Sequence, residues 1–289
     1  MKTTRASGLI LLVAGVPAAL AQNAPTGASH GGPPATPEPV LDWKALEPPL
    51  LTRHTELTKR EQFLKAGEAY FSPDNRWIIF QAIAVPAEGK EPEPFYSMYV
   101  AKLIKDAAGH ITGIDKPIMV SAPGSANTCG WFHPTEPWNI LFGSTITRPS
   151  TNQRAGFRVG DRKYTWLFPE ETEVVHGVVG PIFADYHRGE AGKSTTPEPL
   201  FTRPDYDAEC SWSKDGRFVL YAHVREERKA EARADADIWV YDTKTKKQHA
   251  IVTADGYDGG PFFSPDGKRI CYRSDRKLND LLQLFVSDL

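Results

Sequence analysis

The chain has 289 residues, with 34 Lys and Arg against 36 Asp and Glu, a formal net charge of −2. So balanced a surface has no basic field to hold a phosphate backbone, which argues against nucleic acid as a partner. A hydrophobic share of 40%, with 7 Trp, 10 Tyr and 14 Phe, suits a packed, sheet-rich core and excludes a disordered chain.

Residues 1–21 read as a secretory signal peptide. Lys2 and Arg5 give the positive start, Gly8 to Leu20 the apolar stretch, and Ala19-Leu20-Ala21 a small-x-small cleavage site that leaves Gln22 first. The apolar stretch is short for a bilayer core of about 30 Å. The expectation is therefore an exported, periplasmic or secreted protein with no stable membrane insertion after cleavage. Residues 22–46 are Pro-rich and weakly patterned, a linker rather than a domain.

From residue 47 onward a β-hairpin recurs. It appears as YFSPDNRWIIFQA (70–82), WFHPTEPWNILFGS (131–144), SWSKDGRFVLYAH (211–223) and FFSPDGKRICYR (262–273). Ser72, Pro73 and Asp74; Ser213, Asp215 and Gly216; and Ser264, Pro265, Asp266 and Gly267 are the turn residues. Proline presets φ, aspartate bonds the backbone ahead of it and glycine tolerates positive φ. Ser72, His133, Ser213 and Ser264 are equivalent anchors, 61, 80 and 51 residues apart. Repeats of this kind, each of several short strands, predict an all-β propeller of four-stranded antiparallel blades.

The third strands are expected at 95–103, 181–187, 237–243 and 281–289. Outer strands are expected at 117–124, 198–203 and 249–256. An earlier one, EPPLLTR (47–53), echoes EPLFTR (198–203). The last repeat lacks its outer strand. Either residues 47–53 close a four-bladed ring, or the repeats are cut from a larger, six-bladed one. Residues 148–180 read as an irregular insertion within the second blade, and 225–233 as a solvated charged run. The three cysteines, Cys129, Cys210 and Cys271, read as buried thiols, or as one bridge between Cys129 and Cys210.

GYDGGPFFSPDGKRICYRSDR (256–276), followed by LLQLFVSDL, resembles the PD40 (WD40-like) repeats of TolB-type propellers. YFSPDNRWIIFQA and TCGWFHP resemble them too, whereas SWSKDGRF departs at Lys214 and WFHPTEPW lacks the Asp-Gly turn. The resemblance covers residues 47–289. It implies a six-bladed periplasmic propeller that binds proteins or other ligands without catalysis.

Counting back from each anchor aligns Glu68, Cys129, Glu209 and Gly260 four residues earlier, and Ala66, Asn127, Asp207 and Asp258 six earlier. Tyr206 and Tyr257 stand beside the last two. Inner strands start at one mouth of a propeller channel, so Glu68, Asp207, Glu209, Asp258, Tyr206 and Tyr257 are the candidate ligand-binding residues. Converging carboxylates and rings suit a cation, a basic peptide end or a sugar. The competing role for Asp207 and Asp258 is to cap backbone turns. His133, His176 and His187 are scattered, there is no CxxC, and no metal site or cofactor is expected. Hydrolase elbow, HExxH, P-loop and dinucleotide motifs are absent from the sequence. The expected function is a non-catalytic scaffold for a protein or peptide partner, or a carbohydrate. The alternative is the propeller of a prolyl-oligopeptidase or dipeptidyl-peptidase-like serine hydrolase whose catalytic domain lies beyond Leu289.

Overall fold

The computed structural model describes residues 51, 53–151, 156–158, 163–165, 168–189, 192–224, 235–277 and 281–289. The signal peptide, the linker, most of 47–53 and the charged run 225–233 lie outside the described residues. The fold is a four-bladed β-propeller, one antiparallel sheet to a blade.

The first blade comprises β1 (Phe63–Phe71), β2 (Trp77–Ala84), β3 (Ser97–Lys105), β4 (Ile111–Ile114) and β5 (Ile118–Met119). The second comprises β6 (Asn127–Phe132), β7 (Asn139–Ser144), β10 (Glu173–Val178) and β11 (Glu198–Pro199), with β8 (Gly156–Arg158) and β9 (Lys163–Thr165) a separate ribbon. The third holds β12 (Tyr206–Trp212), β13 (Phe218–Val224), β14 (Ala236–Asp242) and β15 (Gln248–Val252). The fourth holds β16 (Asp258–Phe263), β17 (Arg269–Ser274) and β18 (Gln283–Asp288). All four expected hairpins form.

The turns fold for a local reason. In the first, third and fourth blades the anchor Ser hydroxyl donates to the Asp two residues on, at 2.7 Å for Ser72 and 2.6 Å for Ser213. The same Asp accepts the next backbone amide, Arg76, Arg217 or Lys268, at 3.1 Å each. The serine oxygen then accepts from the first residue of the return strand. Asn75, Gly216 and Gly267 supply the left-handed residue, at φ 55°, 71° and 71°. His133 replaces the serine with a ring nitrogen that accepts the Glu136 amide at 3.1 Å. That ring packs against Gly216 of the third blade and edge-on to Trp212 at 4.7 Å.

The second and third sheets each bury one face against the blade before and one against the blade after. β2 is buried on both faces: Ile79 packs toward the second blade, Ile78 and Phe80 away from it. The blades approach so closely that a Cβ at Gly130 would stand 2.6 Å from Ile79 Cδ1.

One expected element is different. Residues 181–187 were to be the second blade's third strand. That strand is instead Glu173–Val178, and Gly180–Tyr186 is a short helix, α1. Pro181 in its first turn presets helical φ and has no amide for a ladder. Asp185 on α1 reaches back to the first blade. It accepts from Trp77 Nε1 at 3.2 Å, Arg76 Nη2 at 3.1 Å and Lys102 Nζ at 3.0 Å. The strand β4 is also beyond the expected elements. Cys129, Cys210 and Cys271 are all free thiols, so Cys129 and Cys210 are not bridged.

Candidate functional site

The inner strands β1, β6, β12 and β16 share one irregularity. Pairing slips between Gly67 and Tyr70, Thr128 and Trp131, Ala208 and Ser211, and Gly259 and Phe262. At each slip one residue takes the left-handed conformation: Glu68 (φ 45°), Cys129 (φ 53°), Glu209 (φ 55°) and Gly260 (φ 59°). These are the four residues aligned four before the anchors. Each blade thus carries a β-bulge there, and those at Glu68 and Glu209 turn their carboxylates toward the inner strand of the next blade.

Around these bulges lies a cleft of about 330 Å³. Glu68, Tyr70, Trp131, Phe262, Arg273 and Leu284 are the lining groups that matter for recognition. Tyr70 and Trp131 stack with centroids 4.7 Å apart. Glu68 is exposed and accepts from Thr128 Oγ1 and Cys129 Sγ, both at 3.2 Å. Glu209 is buried and accepts from Gly260 N at 2.6 Å, from Arg273 Nη2 at 2.9 Å and from the Tyr257 hydroxyl. Burial works against the Arg273 charge, but Glu209 and Tyr257 outweigh it and hold the guanidinium protonated. Burial, with Glu209 beside it, keeps the Tyr257 hydroxyl protonated. Burial and the carboxylates of Glu68 and Glu209 push the Cys129 thiol well up, so it is no thiolate nucleophile.

The expected site residues divide. Glu68, Glu209 and Tyr257 gather at this bulge layer. Asp207 and Asp258 do not open onto the cleft; both are fully buried and clamp their own hairpins. Asp207 bonds its cross-strand partner His223 at 2.9 Å and takes a two-pronged bond from Arg203 at 2.9 and 3.0 Å. Asp258 faces its cross-strand partner Ser274 and accepts from Arg276 at 3.0 Å. Asn127, at the same repeat position, accepts from its partner Ser144 at 2.7 Å. Tyr206 is buried edge-on to Phe168 at 5.1 Å. The expected cluster of uncompensated carboxylates is therefore absent: Arg273, Arg203 and Arg276 neutralise three of the four, because a lone buried carboxylate resists desolvation.

Sequence reasoning missed Tyr70, Trp131 and Phe262. They stand two residues before their anchors, so the alignment that found the bulges would have found this aromatic row. Among the described residues no group of three or more His, Cys, Asp or Glu could hold a metal ion. No helix of the described residues is long and apolar enough to cross a membrane.

No protein-family model matches the chain. It is 34% identical over 112 residues to dipeptidyl-peptidase 5 of Porphyromonas gingivalis, a stretch covering 34% of this chain and 16% of that protein. Among solved structures, the tricorn protease matches with a TM-score of 0.43 at 15% identity, over 76% of this chain and 23% of that one. TolB from Acinetobacter baumannii matches with a TM-score of 0.35 at 14% identity, over 78% and 52%. The chain thus spans about half the TolB structure and far less of the other two.

Proposed function

We propose that this chain is a non-catalytic binding scaffold, exported to the periplasm or beyond, that holds a protein or peptide partner at the inner-strand cleft. The make-up of that cleft carries the reading. A stacked Tyr70–Trp131 pair and apolar Phe262 and Leu284 surround a solvent-facing Glu68. Apolar walls with a few placed polar groups are what ligand recognition uses. A cationic peptide end suits Glu68, and a sugar ring suits the aromatic pair. The net charge of −2 supports partners other than nucleic acid. Neither a cofactor nor a metal is part of the reading.

The test is a fluorescence titration of the mature protein with oligopeptides bearing free or acetylated N-termini, and with oligosaccharides. Binding should saturate, weaken on E68Q and lose its signal in W131F. No saturable change with either ligand class would reject the scaffold reading. Export is tested separately: the N-terminal sequence of periplasmic material should begin at Gln22.

A second reading is favoured by the 34% identity to dipeptidyl-peptidase 5. In it the blades are the propeller of a larger serine peptidase, gating a hydrolase domain encoded downstream. A GxSxG segment in the downstream reading frame, with labelling of the product by a serine-hydrolase probe, would support this reading.

A further inference from the structure

The third blade departs from its sisters at both of its turns. Pro73, Pro134 and Pro265 follow the anchors of the other three blades, and Lys214 takes that place here. A proline there presets φ and restricts the unfolded chain, so the lysine forgoes a stabilising residue for a charge. The turn between β14 and β15 reads Thr243-Lys244-Thr245-Lys246-Lys247, whereas the matching turn of the first blade, residues 106–110, holds no lysine. Asp242 fixes this turn. Its Oδ1 accepts the Lys244 and Thr245 amides at 2.9 and 3.2 Å, and its carbonyl accepts the Lys246 amide at 2.8 Å. Its Oδ2 accepts from Arg217 of the anchor turn at 2.7 Å, which locks the two turns side by side. Both stand at the same end of the blade, since Phe218 pairs with Asp242. Lys214, Lys244, Lys246 and Lys247 are all exposed. None of the four makes an ion pair among the described residues, whereas Lys59 and Lys102 each meet a carboxylate. With Arg217 they make five cations against Asp215 and Asp242, an excess of three in a chain of formal net charge −2.

We propose that this end of the third blade is a docking face for an anionic lipid bilayer, held by the phosphate groups of the lipids. The lysines crown the tips of two turns rather than line a groove, so they can meet a flat surface together. Lysine is a compact, hydrated point charge, suited to a diffuse layer of headgroups more than to the two-pronged recognition that arginine gives. Each such charge near an anionic bilayer is worth about fivefold in affinity. The contact is adsorption and not insertion, because residues 213–217 and 243–247 carry no large apolar side chain. The third blade packs against the second on one side and the fourth on the other, so the face owes nothing to either end of the chain. The inner strands run from the channel mouth toward the anchor turns. A molecule docked here therefore turns the starts of β1, β6, β12 and β16 away from the bilayer.

The experiment is co-sedimentation with vesicles, using the chain from Gln22 onward so that the apolar stretch 8–20 takes no part. Vesicles of phosphatidylcholine with about a third phosphatidylglycerol should bind the protein, and pure phosphatidylcholine should not. Binding should fade as ionic strength rises from about 0.05 M to about 0.5 M. K244Q/K246Q/K247Q should weaken it about a hundredfold, and the charge-keeping K244R/K246R/K247R should retain it. K214P restores the proline of the sister turns. It should weaken binding about fivefold without lowering the melting temperature, which separates loss of charge from loss of fold. Equal binding to both vesicles, or a triple Gln variant that binds as the wild type does, would overturn the proposal. So would capture of polyglutamate without binding to the anionic vesicles, which would give the face to an acidic polypeptide.

Discussion

Tyr257 on the fourth blade donates its hydroxyl to Glu209 on the third, and the Gly260 amide closes on the same carboxylate. One buried side chain thereby fastens two blades at their bulges, with Arg273 as its counter-charge. Glu209→Ala would leave that guanidinium without its carboxylate. Urea unfolding should show a loss of about 3 kcal/mol, whereas Tyr257→Phe should cost about 1 kcal/mol. A double-mutant cycle should return a favourable coupling between the two; strict additivity would mean that the contact does not fasten the blades.

The bulges supply a backbone prediction. Glu68 holds φ 45° in solvent, where Gly260 shows the unstrained solution to the same position. Glu68→Gly should raise stability by up to about 1 kcal/mol, and Gly260→Ala should lower it by a similar amount. Glu68→Gln keeps the backbone and should leave the melting temperature alone. Scanning calorimetry on the three variants separates the strain of the bulge from the charge of the side chain.

His133 should make the fold acid-sensitive. Burial lowers its pKa, and its ring nitrogen must stay unprotonated to accept the Glu136 amide. A depressed folded pKa means that the unfolded chain takes up the proton first. Stability is therefore complete above the unfolded value near 6.5 and falls as pH drops below it. His133→Ser, the residue of the sister turns, should flatten that part of the profile. An unchanged slope between about pH 7 and 5 would assign the acid sensitivity to another group.

Glu173 on β10 works in the opposite direction. Burial, with Asp207 close by, pushes its carboxyl up to about 7. The unfolded chain then loses its proton first, and stability falls as pH rises from the unfolded value near 4.3 toward 7. Glu173→Gln should gain on the wild type above pH 7 and match it below about pH 4. Paired thermal melts at the two pH values check this; equal gains at both would point to packing rather than charge.

The hairpins were legible because Ser-Pro-Asp-Gly and its variants specify a turn within five residues, and short runs rich in β-branched and aromatic residues flank it. The bulge layer was legible as well: equivalent positions such as Glu68 and Glu209 could be aligned without knowing their conformation. The fate of Asp207 and Asp258 was not. Their neutralising partners, Arg203 and Arg276, come from adjacent loops, and no periodicity marks them. Residues 181–187 misled for a simpler reason. A short mixed run such as PIFADYH can be strand or helix, and the valine-rich strand Glu173–Val178 was hidden inside an apparent insertion.

The salt-linked helix α1 changes how the molecule should come apart. Stacked repeats ordinarily share only nearest-neighbour contacts, so each can open almost by itself. Asp185 adds a tie that leaves the second blade and lands on Arg76, Trp77 and Lys102 of the first. Blades one and two therefore form a single cooperative unit. Hydrogen exchange should resolve this as slow, coincident opening of β2 and β7, lost together in Asp185→Ala.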